Sequence, residues 1–177
     1  GVTTDAVYKW YYDDGSGWAE VTADGVHTGF DTESLSLTNV PFSFDNNKYY
    51  AEVSGKCGTP VTSDRVSLFV LRRAEITQQP ADTASCELTN VSFTVETGQT
   101  DGLFIQWQLN DNSSGWQDLI DGGNYTGSNM NELKVYSIDS IMDGYRYRAL
   151  VYGTCPDSVI STEATLTVYD APDVWDD

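Results

Sequence analysis

The chain has 177 residues, of which 27 are acidic and 9 are basic, and its net charge is −18. Such a charge disfavours nucleic acid and anionic lipid as partners, because both repel a negative surface. No apolar run approaches the roughly 20 residues that a membrane-spanning helix needs, so we expect no membrane insertion. The 11 tyrosines and 5 tryptophans supply many aromatic side chains for sheet faces.

The two halves of the sequence match each other at an offset of 98 residues. The first tryptophans, Trp10 and Trp107, lie 97 residues apart, so the turn that follows them should differ by one residue. So many coincidences at one offset indicate two copies of one structural unit. Matching pairs from the second tryptophan onward are Gly17-Trp18 with Gly115-Trp116, Thr28-Gly29 with Thr126-Gly127, Tyr49 with Tyr147, Ala51 with Ala149, and Cys57 with Cys155.

Each copy is predicted to consist of short β-strands. Apolar and polar residues alternate, as in strands that bury one face, and no window shows sustained helical periodicity. Asp-Gly turns such as Asp24-Gly25 and Asp143-Gly144 separate the strands. The fold class is therefore all-β, with sandwiches in series. In chain order, the alternating segments of the second copy are 91–95, 103–107, 133–135, 145–151 and 164–168.

Two local patterns resemble immunoglobulin-like domains. Trp107 occupies the place of their core tryptophan, and the segment 143–149, Asp-Gly-Tyr-x-Tyr-x-Ala, is similar to the signature of their sixth strand. The resemblance implies that Tyr147 is the corner tyrosine, with its hydroxyl bonded back to the preceding turn. It also implies that Trp10 and Tyr49 have the same structural core roles in the first copy.

The resemblance implies two tandem immunoglobulin-like antiparallel β-sandwiches, at residues 1–72 and 73–177. The second ends in an acidic tail. By comparison with the second copy, the first lacks its N-terminal strands. A sandwich without them would have an open core and an exposed edge. We therefore expect either that upstream polypeptide completes it, or that another chain donates the strand.

The cysteines depart from the immunoglobulin pattern, because Ala51 and Ala149 occupy the position of its second cysteine. We predict instead that Cys86, at the start of the second strand, pairs with Cys155, at the end of the sixth. The alternative is two free buried thiols. Cys57 would then be unpaired in this chain. A disulfide would indicate an oxidising, extracytoplasmic location.

The chain also resembles a narrower group, the Ig-like repeats of large Bacteroidetes surface proteins, including gliding-motility adhesins exported by type IX secretion. The resemblance rests on Gly-Trp-x-x-Leu at 115–119, Tyr-Thr-Gly at 125–127, Gly-Thr-Cys at 153–155 and Gln78-Gln79-Pro80. It implies an extracellular or cell-surface spacer and adhesion repeat. Its partners would be further repeats of the same polypeptide, surface polysaccharides or other cell-surface proteins. The alternative is a glycan-binding accessory module of a secreted polysaccharide-degrading enzyme.

The same resemblance implies O-glycosylation at Thr83, Ser140 and Ser158, each of which follows an aspartate and precedes an apolar residue. Trp18 and Trp116 occupy matching positions, which favours packing against a neighbouring strand over stacking on a sugar. A second hypothesis is an exposed tyrosine face formed by three tyrosines. These are Tyr11, Tyr12 and Tyr50.

We expect no catalysis and no cofactor. The chain has one histidine, His27, and neither a nucleophile elbow nor a phosphate-binding loop. Calcium is the open alternative, because aspartate and asparagine crowd the turns. Calcium requires six to eight converging oxygens, and no EF-hand spacing supplies them. Solvated turns are therefore the favoured interpretation.

Overall fold

The computed structural model describes residues 5–170 and divides the chain into two units. Unit 1 is Gly1–Leu71 and unit 2 is Arg72–Asp177, a boundary one residue before the one expected from the sequence. The predicted acidic tail lies outside the described residues, apart from Asp170.

Unit 1 contains seven strands and one 3₁₀ helix, Phe42–Phe44, within its described part. The main sheet has the order β2-β1-β5-β6, and β7 also pairs with β5. A second sheet consists of β3 and β4. The strands are β1 (Val7–Asp13), β2 (Trp18–Glu20), β3 (His27–Thr28), β4 (Ser36–Leu37), β5 (Lys48–Ser54), β6 (Val61–Thr62) and β7 (Val66–Ser67).

Unit 2 contains eleven strands and the 3₁₀ helix Ser140–Met142 among its described residues. The strands are β8 (Ile76–Gln78), β9 (Thr83–Cys86), β10 (Val91–Thr94), β11 (Glu96–Thr97), β12 (Phe104–Asn110), β13 (Trp116–Asp118), β14 (Tyr125–Thr126), β15 (Glu132–Val135), β16 (Arg146–Tyr152), β17 (Val159–Ile160) and β18 (Ala164–Tyr169).

The strands of unit 2 form a sandwich. One sheet has the order β13-β12-β16-β18-β9, with β17 also on β16. The opposite side consists of β10-β15-β14 and the pair β11-β8. All strand pairs among the described residues are antiparallel except β18 with β9, which run parallel. The predicted all-β class is thus confirmed, and this parallel pair is the one departure from an antiparallel arrangement.

The core of unit 2 lies between these sheets. Phe93 stacks on Tyr147 across the sandwich, with 4.5 Å between ring centroids. Period-two alternation places one side of each strand in this core and the other in solvent. The residues that are fully buried there include Trp107, Leu133, Val135, Ile138, Tyr147, Ala149, Val151, Ala164 and Leu166.

The strands of unit 1 correspond to β12 through β18 of unit 2. The β1–β2 turn is one residue shorter than its counterpart, since Asp13 pairs with Trp18 whereas Asn110 pairs with Trp116. Unit 1 has no counterpart of β8 to β11 within the described residues. The prediction that the first repeat lacks its N-terminal strands is therefore confirmed. Because those strands cover the core in unit 2, Val66 is 59% exposed, whereas the matching Ala164 is fully buried.

Candidate functional site: the outer sheet face of unit 1

The outer face of the main sheet in unit 1 carries an aromatic stack. Strands β1 and β5 pair so that Tyr11 lies opposite Tyr50. Their rings stack with centroids 5.0 Å apart and planes inclined by 12°. Cross-strand aromatic pairs of this kind stabilise a sheet and leave a large apolar area at its surface. The pKa of Tyr11 is raised, mainly by partial desolvation and secondly by the carboxylate of Glu52. The Tyr11 hydroxyl therefore stays protonated at neutral pH and can donate a hydrogen bond.

Two further side chains extend the stack. The Trp18 ring meets Tyr50 edge-on, with centroids 4.6 Å apart. The guanidinium carbon of Arg65 lies 4.9 Å from the centroid of Trp18, within range of a cation–π interaction. We call Tyr11, Trp18, Tyr50 and Arg65 the tyrosine face. It combines apolar area with hydrogen-bond donors, a composition typical of binding hot spots.

Tyr12 does not belong to this face. Its ring lies 6.5 Å from Tyr49 and 5.9 Å from His27 on the inner side of the sheet. Neighbouring residues of a strand point to opposite faces, so Tyr11 and Tyr12 cannot share one. The sequence hypothesis of a face formed by all three tyrosines is therefore wrong for Tyr12.

The matching surface of unit 2 has different chemistry. Gln108 and Arg148 stand at the positions of Tyr11 and Tyr50, and Arg148 donates to Gln108 over 2.8 Å. The guanidinium carbon of Arg148 lies 4.1 Å from the Trp116 ring centroid, and that of Arg146 lies 5.9 Å away. One arginine therefore covers a face of Trp116, which leaves less of this ring for a ligand than an open tryptophan would offer.

A chain of hydrogen bonds joins Asp24, His27 and Tyr49 inside unit 1. The Asp24 carboxylate lies 2.7 Å from His27 Nδ1, and His27 Nε2 lies 3.1 Å from the Tyr49 hydroxyl. This order resembles an acid–base–hydroxyl relay. However, His27 is 2% exposed and Tyr49 is 4% exposed, so a substrate cannot reach the hydroxyl. The arrangement stabilises the fold and provides no reactive site.

The four core residues inferred from the sequence differ in how deeply they are buried. Trp107 and Tyr147 are fully buried, Tyr49 is nearly so, and Trp10 is half-buried. The hydroxyl of Tyr147 lies 3.4 Å from that of Tyr125. The sequence expectation placed the partner of this hydroxyl in the turn before β16, whereas the structure places it across the core, on Tyr125.

The predicted disulfide between Cys86 and Cys155, both described residues, is not formed. Cys86 lies opposite Tyr169 at the end of β18, whereas Ala164 at the start of β18 pairs with Tyr147 in β16. Cys155 follows the other end of β16. The two cysteines thus lie at opposite ends of one sheet, beyond the reach of a disulfide. The prediction failed because the segment that leads into β10 lies beside the turn before β16, where the Leu88 N–H donates to the Ile138 carbonyl, whereas Cys155 follows the end of β16.

Cys57 and the three candidate glycosylation residues lie at the surface or near it. Cys57 is exposed between β5 and β6. Ser140 and Ser158 are exposed, in the 3₁₀ helix of unit 2 and in the β16–β17 connection. Thr83 is half-buried in β9, and its hydroxyl donates to the Ala81 carbonyl over 3.4 Å. O-glycosylation at these three sites stays a prediction.

Many acidic side chains in the turns accept backbone hydrogen bonds. Asp13 accepts from Gly15 and Gly17 over 2.9 and 3.0 Å. Asp111 accepts from Ser113 and Ser114 over 3.0 and 3.1 Å. Within residues 5–170, no group of three or more His, Cys, Asp or Glu side chains is arranged to hold a metal ion. A calcium site therefore stays a prediction without a candidate ligand set.

Three side-chain-to-backbone hydrogen bonds recur in both units, and sequence reasoning missed them. The indole N–H groups of Trp10 and Trp107 donate to carbonyls 22 and 23 residues further on. The other two bonds join Ser63 Oγ to the Ala51 N–H and Asp45 to the Val70 N–H. Ser161 with Ala149 and Asp143 with Val168 repeat them in unit 2. Two of these bonds had a signal in the sequence, because Ser63 and Ser161, like Asp45 and Asp143, are identical residues 98 positions apart.

Solved structures with tandem immunoglobulin domains are similar to this chain. It aligns over 96% of its length with the N-terminal eight Ig domains of Down Syndrome Cell Adhesion Molecule, with a TM-score of 0.71, 16% identity and 21% of that chain covered. With the I-band fragment I67-I69 from titin, it aligns over 96% of its length with a TM-score of 0.64 and 16% identity. It covers 56% of that chain, so it spans about half of the fragment. With Dpr11 IG1 bound to DIP-gamma, it aligns over 94% of its length, with a TM-score of 0.55, 13% identity and 85% of that chain covered.

At these identities the likeness shows the fold alone, and it confirms the immunoglobulin-like sandwich. No protein-family model and no curated protein matches the chain. Within residues 5–170, no helix has the length and apolar character needed to cross a membrane.

Proposed function

We propose that this chain is a non-catalytic spacer and adhesion segment of a larger extracellular or cell-surface protein. The observation that carries the proposal is the serial repetition of one immunoglobulin-like unit, with a stack of aromatic side chains on the outer face of the main sheet of unit 1. Tandem sandwiches extend a chain in space, and several weak contacts along such a chain add up through multivalency.

The structural neighbours support this class of function. One is a cell adhesion molecule with eight consecutive Ig domains, and another is a complex between Ig domains of two different proteins. We therefore propose other cell-surface proteins, or further repeats of the same polypeptide, as partners. Surface polysaccharides are the third proposed partner class. A role in a Bacteroidetes gliding adhesin is supported by the sequence motifs alone.

The alternative function is a glycan-binding accessory module of a secreted polysaccharide-degrading enzyme. The tyrosine face favours it to a limited degree, because aromatic rings stack on sugars. An arginine lies over the tryptophan ring in both units, Arg65 over Trp18 and Arg148 over Trp116, which argues against sugar stacking on either tryptophan. Tight binding on a glycan array that is lost in Trp116→Ala would establish the alternative and overturn the spacer function as the main one.

The adhesion proposal can be tested with beads that carry the full chain, held on protein-coated and polysaccharide-coated glass under shear flow. Tyr11→Ser combined with Tyr50→Ser should reduce bead retention on the surface that supports adhesion. Loss of one aromatic hot spot costs about 1.4 kcal/mol or more, which is a tenfold change in affinity.

A matched control exists in unit 2, where Phe104 and Tyr152 also pair across strands, with ring centroids 5.0 Å apart. Phe104→Ser combined with Tyr152→Ser removes an equivalent aromatic pair outside the tyrosine face. Equal retention by both double variants would contradict the proposal, as would no adhesion of the unmodified chain to any surface.

A further inference from the structure

Unit 1 contains an apolar groove on the inner side of its main sheet. The groove has a volume of about 260 Å³. It lies between β4 and the inner faces of β1, β5 and β7, and its apolar lining is Trp10, Leu35, Leu37, Tyr49, Val66 and Leu68. Five of these side chains are half-buried or exposed, and Tyr49 is the buried one. A small domain rarely leaves this much apolar area partly open to water along one line.

Every one of these lining residues has a fully buried counterpart in unit 2. The counterparts are Trp107, Leu133, Val135, Tyr147, Ala164 and Leu166. Strand β10 covers part of this set directly. Its Val91 and Phe93 lie opposite Val135 and Leu133, and the Phe93 ring stacks on Tyr147. The groove of unit 1 is therefore the place that β10 fills in unit 2.

The backbone of β4 points to the same conclusion. In unit 2, β15 has a partner on both edges, β14 on one side and β10 on the other. In unit 1, β4 pairs with β3 alone within the described residues. Its second edge thus presents N–H and C=O groups beside an apolar groove, which is the arrangement that accepts an added strand.

We infer that the groove of unit 1 binds one further β-strand, which pairs antiparallel with β4 and has apolar residues at alternate positions. In the pattern of β10, a bulky aromatic residue would lie on Tyr49 and a branched aliphatic residue opposite Leu37. The source is the polypeptide on the N-terminal side of β1, since β10 precedes β12 in unit 2 and the two units share one strand order. This inference is independent of the adhesion function.

The test grafts the strand from unit 2 onto unit 1 of the full chain. Residues 1–6 are replaced by a copy of residues 74–103, so that the copied Leu103 precedes Val7 as it precedes Phe104 in unit 2. This junction preserves the register because β1 and β12 correspond at an offset of 97 residues. The control carries Val91→Asp and Phe93→Asp in the added copy only, which keeps the length and removes the apolar contacts.

Hydrogen exchange of peptides covering 34–38 and 64–70 is the measurement, with 132–136 and 162–168 of unit 2 as internal references. In the unmodified chain, the unit 1 peptides should exchange much faster than the references. The graft should slow them by about tenfold or more, and the control graft should not, because backbone protection follows burial and pairing.

Two results would overturn the inference. One is protection of 34–38 in the unmodified chain as strong as that of 132–136, which would mean that the groove is already covered. If that protection appears together with a dimer in size-exclusion chromatography, a second copy is the occupant. The other is a graft that gives no more protection than its control.

Discussion

Asp24 shows how a single carboxylate can organise a turn. One of its oxygens accepts from the backbone N–H groups of Val26 and His27, over 2.9 and 2.8 Å, and the other lies 2.7 Å from His27 Nδ1. The backbone N–H of His27 contributes most to lowering the pKa of Asp24 to about 2. Fixed donors favour the charged carboxylate because protonation would remove an acceptor.

This pKa predicts the acid sensitivity of unit 1. An aspartate has a pKa of about 3.9 when unfolded, so the lowered folded value means that Asp24 stabilises the fold above about pH 4. The contribution should be lost as the pH falls towards 2. Asp24→Ala should therefore destabilise unit 1 at pH 7, with a difference from the unmodified chain that shrinks at pH 2.

Urea unfolding at the two pH values measures the effect of Asp24→Ala. Asp31→Ala, which removes an exposed carboxylate of the same unit, is the matched control and should change stability little at either pH. A loss from Asp24→Ala that is constant with pH would show that the ionised carboxylate has no special role.

At the scale of elements, a repeated serine fixes the segment before the last strand to its neighbour. Ser161 Oγ accepts from the Ala149 N–H and donates to the Thr162 carbonyl, both over 2.8 Å. In unit 1, Ser63 Oγ accepts from the Ala51 N–H over 2.9 Å. Ser161 is 7% exposed whereas Ser63 is exposed, so the same bond has different surroundings.

Ser161→Ala should destabilise unit 2 by about 1–3 kcal/mol, because it leaves a buried N–H without an acceptor. Ser63→Ala should cost less, since water can reach the bond that it breaks. The pair is its own matched control, and thermal unfolding followed by circular dichroism measures both. Equal effects of the two substitutions would contradict the role given to burial.

At the scale of the whole molecule, the two units differ in how completely their cores are covered. In unit 2, Phe93 of β10 is 1% exposed. Unit 1 has no counterpart of β10 among its described residues. In unit 1, the corresponding space is open above Leu37, which is half-buried. Apolar area removed from water is the main source of stability, so unit 2 should be the more stable unit.

We expect unit 1 to unfold at a lower urea concentration than unit 2. Phe93→Ala should lower the stability of unit 2 by about 3–5 kcal/mol and leave unit 1 unchanged, because a buried aromatic residue leaves a cavity. Leu37→Ala, the comparison in unit 1, should cost clearly less. Hydrogen exchange resolved by peptide separates the two units, and a unit 1 as stable as unit 2 would contradict this view.

Much of the fold could be predicted because its signals are local. Alternation along 145–151 predicts strand β16, and the offset of 98 residues carries each assignment from one unit to the other. The tyrosine face was predictable in part, through Tyr11 and Tyr50. Tyr12 was misplaced although the local pattern already excludes it, because consecutive residues of one strand lie on opposite faces.

The sequence by itself determined the repetition, the strand class and the absence of a helical pattern, since these depend on spacing along the chain. Only the tertiary structure decided which ends of strands meet. It separated Cys86 from Cys155, because β9 joins the edge of the β18 sheet in parallel. It also brought His27 onto Tyr49. These outcomes depend on contacts between residues distant in the chain, which no local pattern encodes.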